Sequence, residues 1–179
     1  EHCAMQTILA TQNKHGRILH SKGEKMLKEF VKQFTEEEIV KEFVKINNEC
    51  FFLQPQLKET LQHLTTKPSF IGTPLGRQKG QQFQPSLYLL QKLAESSNKK
   101  ITVNEKGAWM FICGKDIFGK TIIKVHSEMK VGDNILVQNH HGECLGYGKV
   151  VAEIFSKGVV VQNEFDIGDF LRRERHKSF

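Results

Sequence analysis

The chain has 179 residues and no hydrophobic run approaching 18, so no stretch of it is long enough to cross a membrane as a helix. Its start, Glu1-His2-Cys3-Ala4-Met5, lacks the basic stretch and apolar core of a secretory signal. It does not begin with Met, so an upstream catalytic domain would leave no trace here. Cysteine is scarce: Cys3, Cys50, Cys113 and Cys144 are far apart and form no C-x-x-C pair. That spacing argues for reduced thiols in an intracellular compartment. Cys50 and Cys113 lie among apolar neighbours and are expected to be buried. No Walker loop, G-x-G-x-x-G or G-x-S-x-G motif occurs. The adjacent His140 and His141 diverge on a strand or turn, and a closed zinc site needs about four ligands, so no metal is expected. Asp116, Asp133 and Asp169 read as turn or cap residues rather than as an acid–base pair. No catalytic residue and no cofactor is therefore assigned.

What the chain does have is positive charge. Its 26 Lys+Arg against 20 Asp+Glu leave a net +6, with a pI near 9.1. Each side of Ser97 holds thirteen basic and ten acidic side chains, so the excess is spread evenly. Such a balance suits an anionic partner, nucleic acid above all. Hydrophobic residues make up 39%, enough for a modest core without low-complexity tracts.

The first half alternates helix and strand. Residues 4–20 are expected to form two short strands around Asn13-Lys14-His15-Gly16. Met26, Leu27, Phe30, Val31 and Phe34 recur at helical spacing, and so do Ile39, Val40, Phe43 and Ile46. Thr35 followed by Glu36-Glu37-Glu38 reads as a capping box opening a second helix. Cys50–Leu53 is a short apolar strand, and Pro55 opens a helix through Leu57, Leu61 and Leu64. Residues 69–76 return to strand, and Pro85 starts a helix with Leu87, Leu90 and Leu93 on one face. The polar run Ser96-Ser97-Asn98-Lys99-Lys100 marks a domain boundary.

Beyond it the rhythm changes to short strands between glycine turns: 100–104, 121–125, 133–139, 143–151 and 158–163. A short helix over 105–112 carries Trp109, expected to anchor the core. This pattern predicts a compact β pseudo-barrel. Asp166 and Asp169 cap a last helix, Ile167–Arg175, with a basic end. The glycine loop Gly114-Lys115-Asp116-Ile117-Phe118-Gly119-Lys120 places glycines beside lysines. Glycine lets a phosphate backbone approach peptide N–H groups, and lysines neutralise phosphates. Phe118 at the loop tip is expected to pack beneath it.

Residues 98–179 resemble a PUA domain, the small RNA-binding barrel of pseudouridine synthases and archaeosine transglycosylases. The resemblance rests on the Gly114–Gly119 loop, Val131-Gly132-Asp133, and Gly142 followed by Leu145-Gly146-Tyr147-Gly148. The ending Asp166-Ile167-Gly168-Asp169-Phe170-Leu171-Arg172-Arg173 resembles the Nip-seven family of large-subunit ribosome biogenesis factors. Ile71-Gly72-Thr73-Pro74-Leu75-Gly76-Arg77 and Phe83-Gln84-Pro85-Ser86-Leu87 resemble that family's pre-PUA domain. Phe34-Thr35-Glu36-Glu37-Glu38 resembles its opening segment. The chain departs from the family in leaving almost no room for two strands before Cys50, and in carrying extra residues at 1–33.

The resemblance implies an α+β architecture, with an N-terminal α/β pre-PUA domain over 1–97 and a C-terminal PUA-type pseudo-barrel over 98–179. It implies RNA contacts by Lys115, Lys120, Lys124, Arg172, Arg173 and Arg175, with Gly114 and Gly119 as loop glycines. The implied function is a non-catalytic RNA-binding factor in large-subunit biogenesis and pre-rRNA processing. The partners would be RNA (rRNA or pre-rRNA, with tRNA as the alternative) and pre-ribosomal assembly proteins, with no membrane. The location would be the nucleus and nucleolus in a eukaryote, or the cytoplasm in an archaeon. The rival reading is the RNA-targeting part of a tRNA- or rRNA-modifying enzyme, of methyltransferase or pseudouridine synthase type.

Overall fold

Helix α1 (Lys22–Lys32) presents Met26, Leu27, Phe30 and Val31 on one buried stripe, as the helical spacing requires. The computed structural model describes residues 22–40, 43–66, 68–169 and 172. The strands expected over 4–20 and most of the last helix lie outside the described residues. Strands β1 (Phe43–Ile46), β2 (Glu49–Phe52), β3 (Thr73–Lys79) and β4 (Gln82–Pro85) form one antiparallel sheet in that order. Helix α2 (Pro55–His63) links β2 to β3, and its first-turn proline lacks an N–H that would go unbonded anyway. Helix α3 (Leu87–Ser96) follows β4, capped by Ser86, whose hydroxyl accepts a hydrogen bond from the Leu89 N–H.

The helix expected from Thr35 does not form. The Thr35 hydroxyl does accept the Glu37 N–H, and the Glu37 carbonyl then takes the Ile39 N–H in a tight turn. Residues 43–46 instead become β1, hydrogen-bonded to β2 through a hairpin at Asn47-Asn48, with Asn47 at φ 55°. Two cores split the apolar residues of this stretch. Ile39, Val40 and Phe43 pack on the cluster around α1, whereas Val44 and Ile46 pack with Phe51, Leu53 and Ile71. Residues facing two opposite cores suit a strand, whose side chains alternate.

Strands β5 (Lys100–Val103), β6 (Ile117–Phe118), β7 (Ile122–Val125), β8 (Asn134–Gln138), β9 (Cys144–Val150) and β10 (Val159–Asp166) form a second sheet. Their order is β6-β10-β9-β8-β5-β7. The outermost strands, β6 and β7, are consecutive in the chain. A single 3-10 turn, Gly119–Thr121, joins them, so the sheet must curl until its edges nearly meet. The result is a near-closed barrel filled by Ile101, Val103, Phe111, Ile117, Ile135, Val137 and Val160. Helix α4 (Glu105–Ile112), capped by the Asn104 carboxamide, plugs one side with Phe111. Trp109 does not anchor this core: it is 67% exposed on the outer side of α4, along with Glu105 and Lys106. On a helix this short, Gly107 and Phe111 take the inward face and leave Trp109 outside. Cys113, expected to be buried, is exposed just past the helix end.

The two sheets share one core. Leu136, Cys144, Tyr147 and Phe165 from the outer side of the barrel pack with Phe30, Phe34 and α3. Tyr147 meets Phe30 and Phe34 edge-on, with centroids 5.3 and 5.8 Å apart, and lies nearly parallel to Phe165. Hydrogen bonds cross the same joint. The buried Ser97 hydroxyl donates to the Phe34 carbonyl at 2.6 Å, and the Cys144 N–H donates to Gln91 Oε1 at 3.0 Å.

The turn that closes the barrel depends on Gly119. A Cβ there would stand 2.2 Å from the Ser156 carbonyl oxygen, while Gly158 has nothing within 4 Å of its Cβ position. The two glycines share a backbone hydrogen bond, Gly119 N–H to Gly158 carbonyl. Gly119→Ala is therefore expected to destabilise the fold by about 2 kcal/mol or more. Gly158→Ala is expected to stay within about 0.5 kcal/mol of the parent. Urea denaturation of the two variants checks this contrast.

Candidate nucleic-acid interface

The glycine loop is held rigidly. Asn163 on β10 donates from its N–H to Asp116 Oδ1 at 2.9 Å, and its carboxamide donates to the Phe111 carbonyl at 2.9 Å. The same amide lies 3.4 Å from the Lys115 carbonyl and 3.2 Å from Asp166 Oδ2. Strand β6 thereby locks onto β10, and Lys115 emerges just before it, exposed. Lys120 leaves the 3-10 turn, also exposed, with its ammonium 5.9 Å from the Phe118 ring centre. Phe118 is half-buried and pairs with Val159, in keeping with a packing role. Lys124 projects from β7 opposite Thr102. Lys115, Lys120 and Lys124 thus line the seam where the two outer strands face each other across the 3-10 turn.

Two of the expected site residues have other tasks. Gly119 is buried against the Ser156 and Ile154 carbonyls, so it serves chain packing and offers no opening to a phosphate. Gly114 is exposed at φ +79° and its Cα lies against the Arg172 guanidinium, where a Cβ would stand 3.1 Å from Cζ. Arg172 is not a free fork. Its Nη1 and Nη2 bind Asp166 Oδ1 and Oδ2 at 2.9 and 2.7 Å, and Nη1 also donates to the Ile112 carbonyl. Asp166 is 2% exposed and also accepts the Gly168 N–H at 2.9 Å. The hydrogen bonds to Asp166, and then its charge, hold the Arg172 pKa above its ordinary value. Arg172 therefore clamps the chain after β10 to α4. Arg173 and Arg175 lie outside the described residues.

Sequence reasoning overlooked the loop after β9. Its residues 153–158 press on Gly119, and Phe155 within it is 81% exposed. Lys157 is exposed two residues further on. A bare aromatic ring and a lysine beside the seam lysines are what unpaired bases and phosphates need. The signal was in the sequence, where Phe155-Ser156-Lys157-Gly158 places a large apolar residue in a polar turn between strands.

Behind Lys124 lies a small polar network. The His126 ring nitrogen sits 3.0 Å from the Thr102 hydroxyl, which accepts from Gln138 Nε2 at 2.9 Å. Burial, then the charges of Lys124 and Lys100, hold the His126 pKa below its ordinary value.

An α/β layer fused to a near-closed six-stranded barrel with this glycine loop defines the class as a PUA-type fold. Residues 99–175 match the family described as the UPF0113 PUA domain. A UPF0113 protein of Archaeoglobus fulgidus is 28% identical over 114 residues, which cover 60% of this chain. The match spans 64% of that relative's length. Among solved structures, a conserved PUA domain protein from Thermoplasma acidophilum superposes with a TM-score of 0.55 at 22% identity, covering 86% of this chain and 95% of that one. A PUA domain from Aeropyrum pernix K1, solved with tartrate, gives a TM-score of 0.54 at 13% identity, covering 87% of each chain.

Two outcomes follow. Arg172→Met removes the guanidinium from the buried Asp166 carboxylate, and stability is expected to fall by about 1–3 kcal/mol in urea denaturation. His126 titrates below its ordinary 6.5 in the folded chain, so the unfolded chain binds the proton first. Stability is therefore expected to fall as pH drops from about 6.5, and Lys124→Gln to lessen that fall, read as melting temperature against pH.

Proposed function

We propose that this protein is a non-catalytic RNA-binding factor in assembly of the large ribosomal subunit. In this reading it holds unpaired rRNA or pre-rRNA along the barrel seam. The first sheet, in the position of a pre-PUA domain, then docks pre-ribosomal proteins. PUA domains generally bind RNA, which together with the match over residues 99–175 supports the RNA-binding part. The resemblance of the 166–173 segment to ribosome biogenesis factors supports the ribosomal part.

The observation that carries the reading is the charge along the seam. Lys115, Lys120, Lys124 and Lys157 are all exposed, and among the described residues none of them forms a salt bridge. Phe155 beside them offers a ring for an unpaired base. Such a surface binds through phosphates first and bases second. The reading puts the protein in the nucleolus of a eukaryote or the cytoplasm of an archaeon.

Binding of the full chain to a labelled single-stranded RNA across a salt series tests this. Affinity is expected to fall steeply with salt. A Lys115→Glu, Lys120→Glu, Lys157→Glu variant is expected to bind more weakly, with a log–log slope shallower by about two. An unchanged slope would overturn the assignment of phosphate contacts to the seam. Fractionation of cell extracts tests the ribosomal part: co-sedimentation with large-subunit precursors supports it, and sedimentation with free tRNA alone would overturn it.

A further inference from the structure

A cleft of about 400 Å³ opens at the joint of the two sheets, away from the seam. Helix α1, the β3–β4 hairpin and the outer side of β8, β9 and β10 form its walls. Tyr147 and Phe165 are part of its lining, near-parallel rings 6.1 Å apart and both half-buried. The Tyr147 hydroxyl has no hydrogen-bond partner among the described residues, although burial and the nearby Glu164 charge push its pKa up to about 12. It is thus a neutral donor at any physiological pH. Gln82 stands at the rim, exposed, with its carboxamide also unpartnered among the described residues.

The charges decide what kind of ligand fits. Lys79 and Lys149 line the cleft, and so do Glu29 and Glu164. The balance is neutral, so a phosphate gains no net attraction there. An apolar ligand would strand the amide and the hydroxyl. A flat, neutral group with donors and acceptors on its edge satisfies both requirements. An unpaired nucleobase has that chemistry: its face stacks on aromatic rings and its edge bonds to amides and hydroxyls.

We propose that this cleft is a second RNA contact, a pocket for one unpaired base of the strand that the seam lysines hold by its phosphates. This inference rests on the RNA-binding reading above. The geometry allows one strand to reach both places. β10 lies between β6 and β9, with Gln162 paired to Lys149 and Val159 to Phe118. Phe118 in the seam and Lys149 in the cleft are therefore two strand spacings apart across the sheet, about 10 Å, and three residues apart along β10, about 10 Å more. Lys79 also lines a second, polar groove of about 600 Å³ with Arg77 and Asn48, which gives the backbone beyond the bound base a basic exit.

The test compares a short oligouridine RNA with an abasic strand of the same length and phosphate number, using the full chain. The variant is Tyr147→Phe, Gln82→Ala, which keeps the ring in the core and alters only an exposed amide. Its melting temperature should match the parent and so separate binding from folding. The variant is expected to bind oligouridine about tenfold more weakly and the abasic strand unchanged. Equal affinity of variant and parent for oligouridine would overturn the base pocket while leaving seam binding intact. So would an equal loss on both strands, which would signal a phosphate contact. If the parent binds neither strand at low salt, the RNA-binding reading fails and the pocket with it.

Discussion

Three residues, Gly119–Thr121, hold the two ends of a six-stranded sheet together. No ladder joins β6 to β7, so the covalent chain itself closes the barrel. That constraint sets the rest. The 3-10 turn is tight enough that the 153–158 loop must lie on its backbone, and only glycine fits beneath the Ser156 carbonyl. The loop is consequently displayed beside the turn, bringing Phe155 and Lys157 next to Lys120. A patch suited to RNA is thus a by-product of how the barrel is shut.

The opposite end of β10 is secured electrostatically. Asp166 is buried with a full set of donors: the Arg172 fork, the Gly168 N–H and the Asn163 amide. A buried carboxylate this well paired is costly to disturb from either side. Asn163 also anchors the glycine loop, so loop, last strand and Arg172 are tied into one network. Lys115 is therefore presented from a rigid base, which lowers the entropy lost when a ligand binds.

Much of the barrel was legible in the sequence, because short β-branched runs between glycines allow few alternatives. The spans 100–103, 122–125, 134–138 and 144–150 follow that pattern, and the short helix expected over 105–112 is α4. Other features depended on partners far away in the sequence. The apolar spacing at 39–46 fits a helix as well as a strand, until two cores on opposite sides choose the strand. A lone Trp109 says nothing about which side of a two-turn helix faces inward. Gly119 reads as an opening when only its neighbours are known, and as a contact once Ser156 is placed against it. The reading of Arg172 turned on Asp166, six residues earlier, which had been assigned to a helix cap alone. The 98–179 segment announced an RNA-binding barrel, whereas the cleft at the joint needs residues from α1, β3, β4, β8, β9 and β10 and has no linear signature.

The shared aromatic core has a consequence for how such a protein evolves. Leu136 and Cys144 are buried on the outer side of the barrel, and Tyr147 and Phe165 half-buried there, because α1 and α3 cover that flank. A barrel severed between α3 and β5 would carry that oily flank into water. Lending this module to another protein thus requires either a matching cover or a repainted flank. Gene fusion alone would leave an exposed apolar flank of the kind that promotes aggregation.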